Sequence, residues 1–427
     1  MIRFEWLPVS CAPQPETEVT LTVTGSLLVL AALCFPFSVV ATNLLLALAL
    51  AAGLMSGLLW QGARELWSQH RALANWMLAY FTLLVLGVLW SLNPGLGVRV
   101  VSHYWFWFVL PLMLAVMRQK KWQVRFLVSL SVGLTANLVL CVLQRLGYYV
   151  VESGGSWMES ATGHIGHISF GLIYGIWASW LLHWGWQRYG GWRWLAWGLA
   201  CWSWIMIFAA QGRAGYVVAV LLMLVVVIKH AGFSLRVWSV LALAVVMLGL
   251  VTVSSDAGKA RMQDTLEKIE GVVSGDVQTA DPRWSFWLIA LEAWKQHPVL
   301  GVGTGGFSDS SAMVYQQHPE LIYPGLEKYP PAHPHNMYVL SLTRWSVIGV
   351  VVLLGWLVSW LRLGTQLVLQ EKALSMLVPL SGIALLVDAV FSITLEQHFS
   401  GIFLAMVLGL GLAGSQENGG RSNREEI

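Results

Sequence analysis

Apolar runs of about 20 residues recur from near residue 20 to near residue 415. A helix of that length crosses about 30 Å of hydrocarbon. A chain built this way reads as an all-α polytopic membrane protein. The charge content agrees: 11% of the residues are charged and 57% hydrophobic, where a soluble domain carries about a quarter charged. Twelve spans follow from the pattern, at about 20–38, 39–60, 72–91, 99–117, 122–146, 164–186, 191–211, 213–229, 236–253, 335–361, 373–393 and 398–415. The first two share one apolar stretch broken near Pro36. The segment before them, with Glu5, Glu16 and Glu18, lacks the basic start and cleavage site of a signal peptide, so the first span is expected to be retained.

Sidedness comes from Lys and Arg in the short loops. Of 25 such residues, fifteen fall on one side, among them Arg64, Arg118, Lys120, Arg188, Arg362 and Lys372. Six of the other ten lie in one long polar loop, leaving four against fifteen in the short loops. The fifteen-residue side is therefore expected to be cytoplasmic, with both termini on it. The long loop, 254–334, is then expected outside, and the polar tail 416–427 is expected to be disordered. The 25 tryptophans fit a membrane-interface belt, with Trp184, Trp186, Trp192 and Trp194 gathered at one cytoplasmic edge. Cys11, Cys34, Cys141 and Cys201 form neither a disulfide framework nor a metal set.

The long loop carries helical signals. Met262, Leu266, Ile269 and Val273 repeat at amphipathic spacing. In "DPRWSFWLIALEAWKQHP", Asp281 suits an N-cap and Pro282 the first helical position. Trp284, Leu288, Leu291 and Lys295 or Trp294 make a stripe for the membrane surface or the bundle. Arg283 falls in the first turn, where a cation opposes the macrodipole. Either Asp281 offsets it, or an anionic ligand is held by the guanidinium and the helix end together. "HPVLGVGTGGF" follows, a glycine run that makes a flexible turn or an anion-binding nest. In "QGRAG", Arg213 occupies a tight turn beside Gly212 and Gly215. It is either a snorkelling anchor or a fork for phosphate oxygens.

"PAHPHNMYVL" opens the tenth span. There His333 is read as the N-cap, Pro334 as the first helical residue and His335 as the second. A positive helix end disfavours imidazolium, so His335 is expected neutral and able to accept a proton. Asn336 could orient a ring or a substrate hydroxyl. A metal would need more ligands, such as His164 and His167 of "GHIGHISF". His-x-His is a poor helical chelate, however, and no metal or other cofactor is expected. Asp388 is a carboxylate inside the eleventh span and so a functional candidate.

Three features in this order, "QGRAG", "DPRWSFW…HPVLGVGTGGF" and "HPHNMYVLSLTRWSVIGVVVLL", resemble the bacterial O-antigen ligase and O-antigen polymerase family. The motifs cover roughly residues 200 to 410. The resemblance implies a metal-independent, GT-C-like glycosyltransferase of the inner membrane, taking a glycan from undecaprenyl diphosphate on the periplasmic side. It implies that Arg213 and Arg283 contact the diphosphate and that His335 is essential for transfer. Ligation to a hydroxyl of lipid A–core is the expected reaction, because the single large loop falls late in the chain. Polymerisation of lipid-linked O-antigen and glycosylation of protein hydroxyls are the alternatives within the family, and a lipid-linked-glycan transporter is the one outside it. The chain departs from the family at Thr343–Arg344, where a glutamate or similar polar group is common, which gives Arg344 a role of its own. No GxxxxGK[ST] motif occurs, and nucleic acid is not an expected partner.

Overall fold

The computed structural model describes residues 15–148, 161–210, 212–232, 234, 238–239, 256–369 and 372–415. Among these the architecture is entirely helical. The helices are α1 (Pro15–Cys34), α2 (Val39–Met55), α3 (Leu58–Gln69), α4 (Arg71–Leu86), α5 (Pro94–His103), α6 (Val109–Val116), α7 (Lys120–Arg145), α8 (His167–Trp186), α9 (Gly191–Ala209) and α10 (Arg213–Ala231). After them come α11 (Asp256–Ser274), α12 (Pro282–Gln296), α13 (Phe307–Gln317), α14 (Met337–Val368), α15 (Leu377–Asp388) and α16 (His398–Ser415).

Five stretches are long and apolar enough to cross a membrane: Pro94–Val116, Lys120–Arg145, Ala214–Ala231, Met337–Val368 and His398–Ser415. On α7, Val124, Val128 and Val132 are exposed, while Phe126, Leu130 and Leu134 on the opposite face are buried. A helix that is apolar on both its exposed and its packed face is solvated by lipid. The chain is a polytopic membrane protein. At its centre α8 and α16 are buried almost all round. Helices α8 and α10 cross at Gly171 and Gly215, where a Cβ on Gly171 would lie 2.3 Å from the Gly215 Cα. Small residues let two membrane helices approach this closely.

Several expectations change in detail. The chain does break between α1 and α2, at residues 35–38. The expected second span, 39–60, is not one rod, however. It turns by 85° between α2 and α3, through Gly57 in the left-handed region at φ 77°. The ninth span, 236–253, and the tail, 416–427, lie largely or wholly outside the described residues, as does Cys11. Cys34, Cys141 and Cys201 are free thiols.

The loop helices form where the sequence put them, and α13 joins them. The face of α12 that packs inward is not the tryptophan stripe. Ser285, Ile289, Ala290 and Ala293 are buried, whereas Trp284, Leu288 and Leu291 lie half-buried on the flank. Small side chains let α12 settle against α14, and the Thr343 hydroxyl donates to the Ala290 carbonyl at 3.2 Å.

The glycine run is neither a free turn nor a nest. Helix α14 is interrupted at Trp345 and Ser346, whose φ values are −134° and 55°. The interruption strips the Thr343 and Arg344 carbonyls of their helical donors, and the amides of Val302 and Gly303 replace them at 2.9 Å each. Thr304 accepts from the Trp345 indole at 3.0 Å and donates to the Leu84 carbonyl at 2.7 Å. Broken backbone among membrane helices persists only where protein groups satisfy it in this way. Gly303, at φ 78°, approaches so closely that a Cβ would meet the Ser91 Cα at 2.4 Å. The run is thus a wedge that locks the polar loop helices onto α4 and α14.

Candidate functional site

The wedge fixes α12 relative to the start of α14, and that start differs from the sequence reading. Asn336, not His333, is the N-cap: its side-chain oxygen accepts from the amides of Tyr338 and Val339 at 2.9 and 3.0 Å. Asparagine is among the best capping residues, and the bond commits the oxygen that was expected to orient a ring. Pro334 and His335 therefore precede the helix. His335 adopts the left-handed conformation at φ 51°, which costs a non-glycine residue of order 1–2 kcal/mol. The Met337 amide donates to the Ala389 carbonyl at 2.8 Å, and the Tyr338 hydroxyl to the Leu386 carbonyl at 2.8 Å. The end of α15 is thereby stapled to the start of α14.

The left-handed turn throws the His335 ring over Phe286 of α12, with centroids 5.8 Å apart and planes 23° apart. The His333 ring lies 4.2 Å away, and its Nδ1 accepts from the His335 amide at 3.4 Å. The His335 Nδ1 is buried and has no hydrogen-bond partner among the described residues. Burial, with further contributions from His333 and Arg283 that outweigh the opposing pull of Asp281, pushes this imidazole down to about 4 from an ordinary 6.5. His333 is also lowered, chiefly by burial. Both rings are neutral at physiological pH. That outcome agrees with the expectation for His335, but its cause is burial and neighbouring charge rather than a place inside the helix.

Arg283 stands at the hub. Asp281 caps α12 by accepting from the Arg283 amide at 3.0 Å, and Pro282 takes the first helical position. The Arg283 guanidinium is close enough for its charge to act on His335, His167 and Asp388 together. His167 begins α8, and its carbonyl abuts Gly212 at the start of α10, with 3.2 Å to the place of a Cβ. Arg213 is the first residue of α10; its side chain lies outside what the structure describes. The N-termini of α8, α10, α12 and α14 therefore converge around Arg283. Each contributes about half a positive charge, although Asp281 at α12 and Asn336 with Ala389 at α14 already accept from first-turn amides. The arrangement suits an anion.

Two other expected residues have different surroundings. His164 sits before α8 and is tied to α7, its amide donating to the Asn137 side chain at 3.5 Å. Asp388 is buried at the end of α15. One of its oxygens accepts from Thr394 at 2.7 Å, and the other has no hydrogen-bond partner among the described residues. No group of three or more His, Cys, Asp or Glu side chains gathers among the described residues.

Arg344 reveals a partner that the sequence reading missed. Its guanidinium grips Glu396 in a bidentate pair, the Nη2 to Oε2 bond being 3.2 Å. The Tyr104 hydroxyl donates to Glu396 at 3.1 Å and pairs with the Tyr80 hydroxyl at 3.0 Å. Both Glu396 and Arg344 act electrostatically on His333, so this buried network underlies the histidine turn. Gln397 continues it toward α8, where Ser400 donates to Ser169 at 2.9 Å. The signal was available. A lone arginine inside an apolar span needs a carboxylate, and "TLEQHF" supplies one at the mouth of the last span.

The segment that carries most of these groups is also the one that compares with known proteins. No curated protein matches the chain. Residues 198–354 match the family model described as O-antigen ligase, a family of glycosyltransferase-like enzymes acting on lipid-linked glycans. The match takes in Arg213, Arg283, His333, His335, Asn336 and Arg344, and stops short of Asp388 and Glu396. By that segment the chain is similar to the O-antigen ligase family.

Proposed function

We propose that the protein is an O-antigen ligase of a bacterial inner membrane. On this reading it has twelve spans, both termini are cytoplasmic, and the 254–334 loop is periplasmic. It moves a glycan from undecaprenyl diphosphate to a sugar hydroxyl of lipid A–core. The observation that carries the reading is the His335 ring. It is neutral, it is held in a strained turn, its Nδ1 is buried without a hydrogen-bond partner among the described residues, and it lies within electrostatic reach of Arg283.

The reaction is a single displacement with inversion. The acceptor hydroxyl gives its proton to the neutral His335 ring as its oxygen bonds to the anomeric carbon, and the bond from that carbon to the diphosphate oxygen breaks. Negative charge grows on the departing diphosphate. Arg283, Arg213 and the converging helix N-termini stabilise it there more than in the ground state, which is what accelerates a reaction. The free energy resides in the donor's linkage to diphosphate.

The experiment is a deletion followed by lipopolysaccharide electrophoresis. Loss of all polymer from the core is the expected result, restored by the intact gene. A single repeat left on the core would identify a polymerase instead, and an unchanged profile would remove the ligase reading.

The pH dependence is a second test. In the free enzyme His335 titrates near 4, so kcat/KM should be flat at neutral pH and fall only as the pH drops through about that value. An anionic donor stabilises the imidazolium and raises its pKa in the complex. The acid limb of kcat, which reports the complex, should therefore lie above that of kcat/KM. Steady-state transfer assayed across this range checks both, and coincident limbs would remove His335 as the base.

A further inference from the structure

The end of the bundle opposite the histidine turn holds a cleft of about 900 Å³. That volume is typical of ligand sites. Its walls are α7 and α9, which touch each other only lightly, and its floor is the buried face of α8 at Trp180 and Leu181. The lining is mainly apolar. Of the described residues around it, three are basic (Lys120, Arg188 and Lys372) and none is acidic. Arg188 is exposed and stacks over Trp184, 5.1 Å from the ring centroid. Lys372 donates to the Ser415 carbonyl at 2.6 Å, which fixes its head group at the rim.

The basic groups sit where α7 begins and α8 ends, and the apolar lining runs inward as far as Thr135 and Ala136. From Lys120 to Ala136 is about 24 Å along a helix, close to one headgroup layer plus one leaflet of a bilayer. Positive charge at the mouth with an apolar channel one leaflet deep matches a molecule that has an anionic head and a hydrocarbon tail. A neutral lipid would leave the basic rim uncompensated, and a zwitterionic one would bring a cation of its own to it.

We infer that this cleft is a binding site for one anionic phospholipid of the surrounding leaflet, its phosphate on Lys120 and Arg188 and an acyl chain between α7 and α9. The lipid closes the gap that protein contacts leave between those helices. This site is separate from the histidine turn, and the inference does not rest on the reaction proposed above.

The test is native mass spectrometry of the full chain. Purified protein is exchanged into detergent carrying either dioleoyl-phosphatidylglycerol or dioleoyl-phosphatidylcholine. One phosphatidylglycerol should stay bound at activation energies that strip phosphatidylcholine. Each basic residue near a membrane surface contributes about 1 kcal/mol to anionic lipid attraction, so Lys120→Gln with Arg188→Gln should lower retention by at least about tenfold. Thr135→Trp should also lower retention, because it fills the inner end of the cleft without altering the charge. Equal retention of the two lipids by the native chain would overturn the inference, as would phosphatidylglycerol retention that survives both variants.

Discussion

His335→Ala should lower glycan transfer by about 10²–10⁴-fold, the contribution typical of a positioned general base. The geometry makes the variant informative only with a control for the backbone. His335 sits at φ 51°, and alanine tolerates that region poorly, so part of any loss could come from a displaced turn. Asparagine is several-fold enriched there, and its amide is no base at these pH values. His335→Asn should therefore keep the turn, insert at the normal level and lose transfer as completely as the alanine variant. The hydrogen bond from the residue 335 amide to His333 Nδ1 survives both changes, which confines the loss to the ring. Lipopolysaccharide profiles and transfer rates of purified protein give the readout. Polymer on the core at the normal level in His335→Asn would remove the catalytic assignment.

How much of this was legible beforehand depends on the range of the interaction. The start of α12 was legible because Asp281, Pro282 and Arg283 specify it within three residues. The length of the membrane helices was legible because a bilayer imposes it from outside. The start of α14 was misplaced by three residues. A proline suits a first helical position, but asparagine caps better than histidine, and an asparagine three residues on took the cap. The break at Trp345–Ser346 left no local mark at all. No proline or glycine occupies it, and it exists because a loop some 40 residues earlier supplies the missing donors. The same holds for the convergence of four helix N-termini, which no stretch of sequence displays. The side-chain partner of Arg344 lies 52 residues away, and only the demand for a counter-charge pointed to it.

That demand sets the second large effect. Glu396→Ala leaves the Arg344 guanidinium in the protein interior, 4% exposed, with no carboxylate beside it. Breaking a buried pair by removing one partner costs about 3–5 kcal/mol, enough to deplete folded protein in the membrane and to lower its melting temperature in detergent. Replacing both partners by apolar residues of similar size is a different change. Arg344→Met with Glu396→Leu removes the desolvated charges together and should recover most of the lost stability, since the Tyr104 hydroxyl keeps its bond to Tyr80. The double variant also separates structure from chemistry. Both charges act on His333, the residue that holds the turn of His335 in place. If the pair serves only the fold, the double variant transfers glycan normally. If it also tunes the histidine turn, transfer stays low in a stable protein and the acid limb of the pH profile moves. The first outcome is expected, because burial is the main cause that keeps His333 neutral, while Glu396 and Arg344 act on its charge in opposite directions and are removed together. A double variant no more stable than Glu396→Ala would show that the pair stabilises through something other than mutual compensation of buried charge.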